Sequence, residues 1–285
     1  MAGKFARSWA LMKASAGVLR TDKSLLLFPL LSGLCCIVVA ASFLLPVVLA
    51  LVGHGHGTDF DGRRFSPAYY AVLFAFYLVQ YFVIAFFNTA LAGVVLRRLR
   101  GEPAGLADGF ALARSRLGSI FGYALIAATV GLFLRALQER LGLVGRFVVG
   151  LFGLAWTVAT FLVVPVLAGE GAGPVDAVKR SAELLRQTWG ENVIGNAGLG
   201  VAFGLFFIPV ALLAGVLMIG AVATQSIVVI VLAGALVLVG FVLLGLVQST
   251  LQGIYAAALY RYAEAGEVGG GFDQALLESA FRPKR

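Results

Sequence analysis

Long apolar runs separated by short charged stretches dominate this chain: no Asp, Glu, Lys or Arg falls within 24–58, 65–96, 117–134, 147–169 or 192–260. A bilayer core about 30 Å thick needs roughly 20 apolar residues of helix, because in lipid the backbone must satisfy its own hydrogen bonds. The first four runs therefore predict one crossing each, near 25–52, 68–96, 117–137 and 147–168. The fifth is too long for one crossing. Its only polar interruption is Gly220-Ala-Val-Ala-Thr-Gln-Ser226, so it predicts two crossings joined by a tight turn. The expected fold class is all-α, a polytopic membrane protein with six transmembrane helices arranged as three hairpins in a single membrane domain over 1–285.

The polar connections carry a second pattern. Gly101-Glu102, Gly169-Glu170 and Gly266-Glu267 each end an even-numbered span, and each is followed at one spacing by an acid, Asp108, Asp176 and Asp273. A short amphipathic stretch follows each acid. The N-terminal segment Phe5 to Ser15 supplies a similar element, with Trp9, Met12, Ala16 and Leu19 on one helical stripe. This predicts an internal repeat in which a cytoplasmic amphipathic interfacial helix precedes each hairpin. The units expected are 4–100, 108–168 and 176–262, with a C-terminal interfacial helix at 273–281. Span ends agree with this, since Thr89-Ala-Leu-Ala-Gly93 parallels Ser249-Thr-Leu-Gln-Gly253.

Charge sets the expected orientation. With six spans, one side holds seventeen of the 22 basic residues and the other only Arg63, Arg64, Arg135, Arg140 and Arg146. The rule that Lys and Arg concentrate in cytoplasmic connections puts both termini inside a bacterial inner membrane. The same distribution accounts for the net charge of +8 without nucleic acid as a partner. Composition agrees, at 60% hydrophobic and 13% charged, well outside the soluble range. The first apolar run exceeds a signal-peptide core and no small-residue cleavage site follows, so it is expected to stay as an anchor. Cys35 and Cys36, adjacent inside it, suggest neither a disulfide framework nor a metal pair.

Two strings carry a resemblance. Residues 169–185, Gly-Glu-Gly-Ala-Gly-Pro-Val-Asp-Ala-Val-Lys-Arg-Ser-Ala-Glu-Leu-Leu, are similar to a signature of bacterial six-helix membrane families, including the membrane portion of some glycerophosphodiester phosphodiesterases. The opening Ser8-Trp-Ala-Leu-Met-Lys-Ala-Ser15 and the stretch Leu19 to Ser32 look closer to a bacterial six-helix integral membrane family of unknown function. The resemblance implies an architecture and no activity. The soluble barrel that carries phosphodiesterase chemistry has no counterpart in this chain.

Candidate chemistry is sparse. No G-x-S-x-G, phosphate-binding loop, H-E-x-x-H or C-x-x-C occurs, so no enzyme and no cofactor are expected. The repeated Asp108, Asp176 and Asp273 suit helix N-caps, while Glu102, Glu170 and Glu267, near span C-termini, should seek a cation or the next helix N-terminus. His54, His56, Asp59 and Asp61 lie within eight residues and are weak candidates for a transition metal; the glycines flanking both histidines favour a solvated linker. Lys13, Arg20, Arg114, Arg116, Lys179 and Arg180 are candidates for anionic lipid headgroups. Ionisable groups are missing at membrane depth, which argues against an ion-coupled transporter. Gln80, Asn88, Asn196 and Gln248 would line a path if the chain were instead a permease or channel-like transporter for an apolar or amphiphilic solute. The leading expectation is a non-catalytic membrane protein that organises lipid or a partner complex, its partners being membrane lipids, another membrane protein or further copies of itself.

Overall fold

The computed structural model describes residues 15–17, 19–20, 22–53, 67–189 and 198–265. The described residues are all-α, without strands. After a 3-10 turn at Lys23–Leu26 come α1 (Leu27–Gly53), α2 (Pro67–Leu99), α3 (Leu106–Ser115), α4 (Leu117–Arg140), α5 (Leu143–Ala159), α6 (Val163–Gly169), α7 (Pro174–Trp189), α8 (Gly198–Ala223) and α9 (Ile227–Ala265).

Among the described residues five stretches are long and apolar enough to cross a membrane: Lys23–Pro46, Tyr70–Leu99, Leu117–Arg140, Gly145–Gly169 and Ile227–Ala265. The sequence pattern leads one to expect six. The additional apolar helix is α8, within which Phe207–Ala223 forms a shorter apolar segment. At 39 residues, α9 is about 58 Å long, well beyond a hydrocarbon core of about 30 Å.

The fourth stretch departs from the expected single helix over 147–168. It breaks at Thr160-Phe161-Leu162, between α5 and α6. Pro165 supplies the reason: it has no N–H for the Phe161 carbonyl, and its ring would clash with that carbonyl in a continuous helix. The backbone tightens instead, with Phe161 N–H bonding Val158 O at 3.1 Å and Val163 N–H bonding Thr160 O at 3.1 Å. Pro46 and Pro209, by contrast, lie within the continuous helices α1 and α8.

Packing concentrates at one end of the bundle. The buried side chains come from the start of α1 (Phe28), the last turns of α2 (Leu91, Val94, Val95), the first turns of α4 (Ile120, Ala124), α6 (Val166, Leu167), α7 (Leu184) and the last third of α9 (Ile254, Leu259). Toward the other end the helices expose apolar side chains, among them Ile37, Leu44, Val72, Phe133 and Phe147. In water such exposure would be costly. In hydrocarbon it is not, because lipid tails solvate Leu and Ile as well as a protein core does.

Helix α2 is the centre of the packed end and touches α1, α3, α4, α6 and α9. Glycines set its closest approaches. A Cβ at Gly109 of α3 would lie 2.7 Å from the Ala90 carbonyl oxygen of α2 and 2.8 Å from the Phe28 ring, so only glycine lets α3 lie this close. Phe110, the next residue, then stacks among Phe28, Phe86 and Phe87 with ring centroids 5.3, 6.3 and 5.9 Å away.

Candidate functional site at the packed end

The connections that meet at this end are held by four polar locks. The first begins at Asp22, whose carboxylate accepts from Ser24 N–H at 2.7 Å and so caps the 3-10 turn that opens α1. It also pairs with Arg98 near the end of α2. The Arg98 guanidinium in turn donates two bonds to the Ala104 carbonyl, at 2.9 and 2.6 Å. One planar fork thus fixes the entry to α1, the end of α2 and the loop into α3. Partial desolvation pushes the Asp22 carboxyl up, but the Ser24 hydrogen bonds and Arg98 outweigh it and hold the group below the usual carboxylate range.

The second lock is centred on Arg97, which pairs with Glu102 at 3.3 Å and with Asp108 at 3.3 Å. Asp108 is the third residue of α3 rather than its N-cap, correcting the sequence expectation. From there its carboxylate reaches back to accept Gly105 N–H at 2.8 Å. That bond and the neighbouring Arg97 lower its pKa from the ordinary carboxylate value. Asp176 holds the same position in α7, since Pro174 takes the first helical place, where its missing N–H does no harm.

The third lock is Glu170. Its Oε1 accepts from Arg180 Nε at 3.1 Å and from the Tyr260 hydroxyl at 3.2 Å, tying the end of α6 to α7 and α9. Arg180 also approaches Glu183 at 3.9 Å. Donating to the Glu170 carboxylate raises the Arg180 pKa above its already high ordinary value, which keeps the guanidinium charged.

The fourth lock closes the broken span. Ser181 of α7 is fully buried, donates its hydroxyl proton to Ala159 O at 2.7 Å and accepts Leu162 N–H at 3.0 Å. These are two of the backbone groups freed by the break. A serine from a neighbouring helix therefore supplies what the interrupted ladder lacks. Helix α7 buries Ala177, Ser181, Leu184 and Leu185 and exposes Asp176, Lys179, Glu183 and Arg186. In α3 the corresponding buried positions are Gly109 and Ala113.

The headgroup candidates among the described residues fall into three groups. Arg20, Arg114 and Lys179 are exposed, as are Lys23, Arg100 and Arg186 beside them. Arg180 is engaged by Glu170. Arg116, at the elbow between α3 and α4, is half-buried with its guanidinium against Gly171. Lys13, Glu267, Asp273, Asn196, the loop of His54, His56, Asp59 and Asp61, and the stretch 273–281 lie outside the described residues. Among the described residues there is no cluster of three His, Cys, Asp or Glu side chains that could hold a metal. Of the path candidates, Gln80 donates its amide to the Cys36 carbonyl at 3.1 Å, joining α1 to α2, while Asn88 and Gln248 are half-buried. Toward the opposite end, Arg135 donates to the Tyr77 hydroxyl at 2.8 Å and pairs with Glu139 at 3.1 Å.

Sequence reasoning did not single out Asp22, Arg98 or Tyr260, because their partners are 76, 76 and 90 positions away. Ser181 had a usable signal. It is a small polar residue one turn beyond Ala177 on the buried face of α7, facing a span with an internal proline.

A family of unknown function, DUF6159, matches residues 67–271. The chain belongs to that family. No curated protein matches it, and nothing links it to the glycerophosphodiester phosphodiesterases. The DUF6159 match opens at the first residue of α2 and takes in the Arg97, Glu170 and Ser181 locks. The described residues ahead of it are joined to the DUF6159 region by Asp22 and by the packing of Phe28 on Phe110.

Proposed function

We propose that this protein is a non-catalytic integral membrane protein that gathers anionic lipid, or a partner complex, around a rigid basic collar at the inner face of the inner membrane. In this reading six helices cross the bilayer as three hairpins, both termini are cytoplasmic, and α3 and α7 are copies of one interfacial element. The observation that carries it is the division of labour among the basic residues. Arg97, Arg98 and Arg180 are committed to carboxylates within the chain, whereas Arg20, Lys23, Arg100, Arg114, Lys179 and Arg186 at the same end are exposed. Helices pinned on one face thus present fixed cations on the other, each worth on the order of 1 kcal/mol toward an anionic leaflet. Duplication is supported by the matching register of Glu102, Gly105, Asp108 and Ala113 with Glu170, Gly173, Asp176 and Ser181.

The test is lipid retention. The full chain, extracted from membranes containing phosphatidylglycerol and phosphatidylethanolamine, is expected to carry an excess of phosphatidylglycerol. Replacing Arg100, Arg114, Lys179 and Arg186 together by Gln should reduce that excess several-fold. An unchanged ratio would overturn the collar.

A further inference from the structure

We propose that the groove between α2 and α9 holds the acyl-glycerol part of an inner-leaflet phospholipid. Both helices run toward the packed end, and both change character abruptly on the way. No residue of α9 from Ile227 to Ser249 is buried, whereas from Thr250 to Tyr260 all are buried except Gln252 and Gly253. In α2 the residues from Thr89 to Leu96 are buried without a break. Polar side chains gather at this change on both helices: Asn88 on α2, and Gln248, Ser249 and Gln252 on α9. Among the described residues none of these four side chains makes a hydrogen bond. A donor turned toward lipid with no acceptor is strongly unfavourable, so the four together call for an acceptor from outside the chain.

The two helices touch where a Cβ at Gly253 would lie 2.6 Å from Leu91 Cδ2. Asn88 precedes this contact by three residues and Ser249 by four. In parallel helices that spacing puts both one turn above the contact and on the same side of the seam. Gly245, Ser249 and Gln252 share one face of α9. A Cβ at Gly245 would meet nothing within 4 Å, and Leu238 and Val242 above it, like Ile84 above Asn88, are exposed. The groove is thus open and apolar above, closed below, and floored by unpaired donors. Depth identifies the occupant. Helix rises about 27 Å from Tyr70 to Asn88 and about 33 Å from Ile227 to Ser249, so both helices reach the inner edge of a hydrocarbon core about 30 Å thick at this level. At that edge lie the ester carbonyls and glycerol oxygens of a phospholipid. These are uncharged acceptors, and they match amide and hydroxyl donors that have no charged side chain between them. One acyl chain then runs up the groove beside Gly245 and Val242.

The inference rests on the reading of α2 and α9 as crossings whose packed ends face the cytoplasm, and its test uses a zwitterionic lipid so that the collar is read separately. The full chain in detergent is titrated with dioleoylphosphatidylcholine in mixed micelles and with its ether-linked analogue, which keeps headgroup and chains but lacks the ester carbonyls, while the thermal unfolding midpoint is followed. A saturable rise is expected with the ester lipid, and an apparent affinity about fivefold weaker with the ether lipid, as the loss of one hydrogen bond implies. The double variant Asn88→Leu with Gln252→Leu, which removes two of the amides, should abolish that preference. Gly245→Phe, which keeps every polar group and fills the groove, should weaken binding of both lipids and serves if the double variant does not fold. Replacing Arg100, Arg114, Lys179 and Arg186 together should leave the rise in place even as it lowers phosphatidylglycerol retention. No saturable rise, equal affinity for ester and ether lipids, or an unaltered response in the double variant or in Gly245→Phe would overturn the site while leaving the collar standing. Light scattering that shows the unsubstituted chain as a dimer and Gly245→Phe as a monomer would overturn it too, because the groove would then hold a second copy of the chain. Loss of the collar effect with the rise intact would leave the groove standing alone.

Discussion

Ser181 is the residue on which the interior depends most. Its hydroxyl holds one donor and one acceptor of the interrupted α5–α6 ladder at a place without water to replace it. Ser181→Ala should therefore cost about 1–3 kcal/mol of stability in detergent, the usual penalty for stranding buried backbone groups. Ser115→Ala removes a hydroxyl that bonds only the Leu112 carbonyl of its own exposed turn, and should cost less than about 0.5 kcal/mol. Equal unfolding midpoints for the two variants would contradict the assignment. Asp22 makes a prediction in pH. Its pKa is lower in the folded chain than in the unfolded one, so its stabilisation is present above the unfolded value near 3.9 and is lost as pH falls through the folded value. Stability should thus decline below about pH 4, and Asp22→Asn should remove part of that decline while lowering stability at neutral pH. A variant with an unchanged acid limb would show that the Arg98 lock contributes nothing.

At the scale of elements, the apolar runs located the helices to within a few residues because a charge-free stretch of that length has few alternatives. The third run, expected over 117–137, forms α4 at Leu117–Arg140. What the runs did not disclose was the interruption of the fourth, although Pro165 stood inside it. A proline in a span is compatible with an unbroken helix, as Pro46 and Pro209 show. The outcome at Pro165 depends on Ser181, which comes from another helix. The register of the short helices was equally local: Asp108 acts from the third position of α3 because Gly105 offers the free N–H three residues earlier. The α2–α3 contact yields a graded prediction. A methyl at Gly109 would meet the Ala90 backbone oxygen, which cannot move aside, whereas one at Gly93 would meet only the flexible Leu112 side chain. Gly109→Ala should cost about 1–3 kcal/mol and Gly93→Ala distinctly less, as read from unfolding midpoints. A reversed order would mean that α3 does not lie on α2 through Gly109.

For the molecule as a whole, composition made membrane residence legible, but the gathering of the packed core at one end was not. That arrangement arises from long-range pairs such as Asp22 with Arg98 and Glu170 with Tyr260, which no periodicity announces. The exposed cations sit at the same end as those pairs, so the side of the membrane this end faces decides the functional reading. Single cysteines at Arg114 and at Lys179, introduced into the full chain with Cys35 and Cys36 replaced by Ala, test this directly with a membrane-impermeant thiol reagent. The account predicts no labelling in intact spheroplasts and full labelling after the inner membrane is permeabilised. Labelling of either position in intact spheroplasts would contradict it.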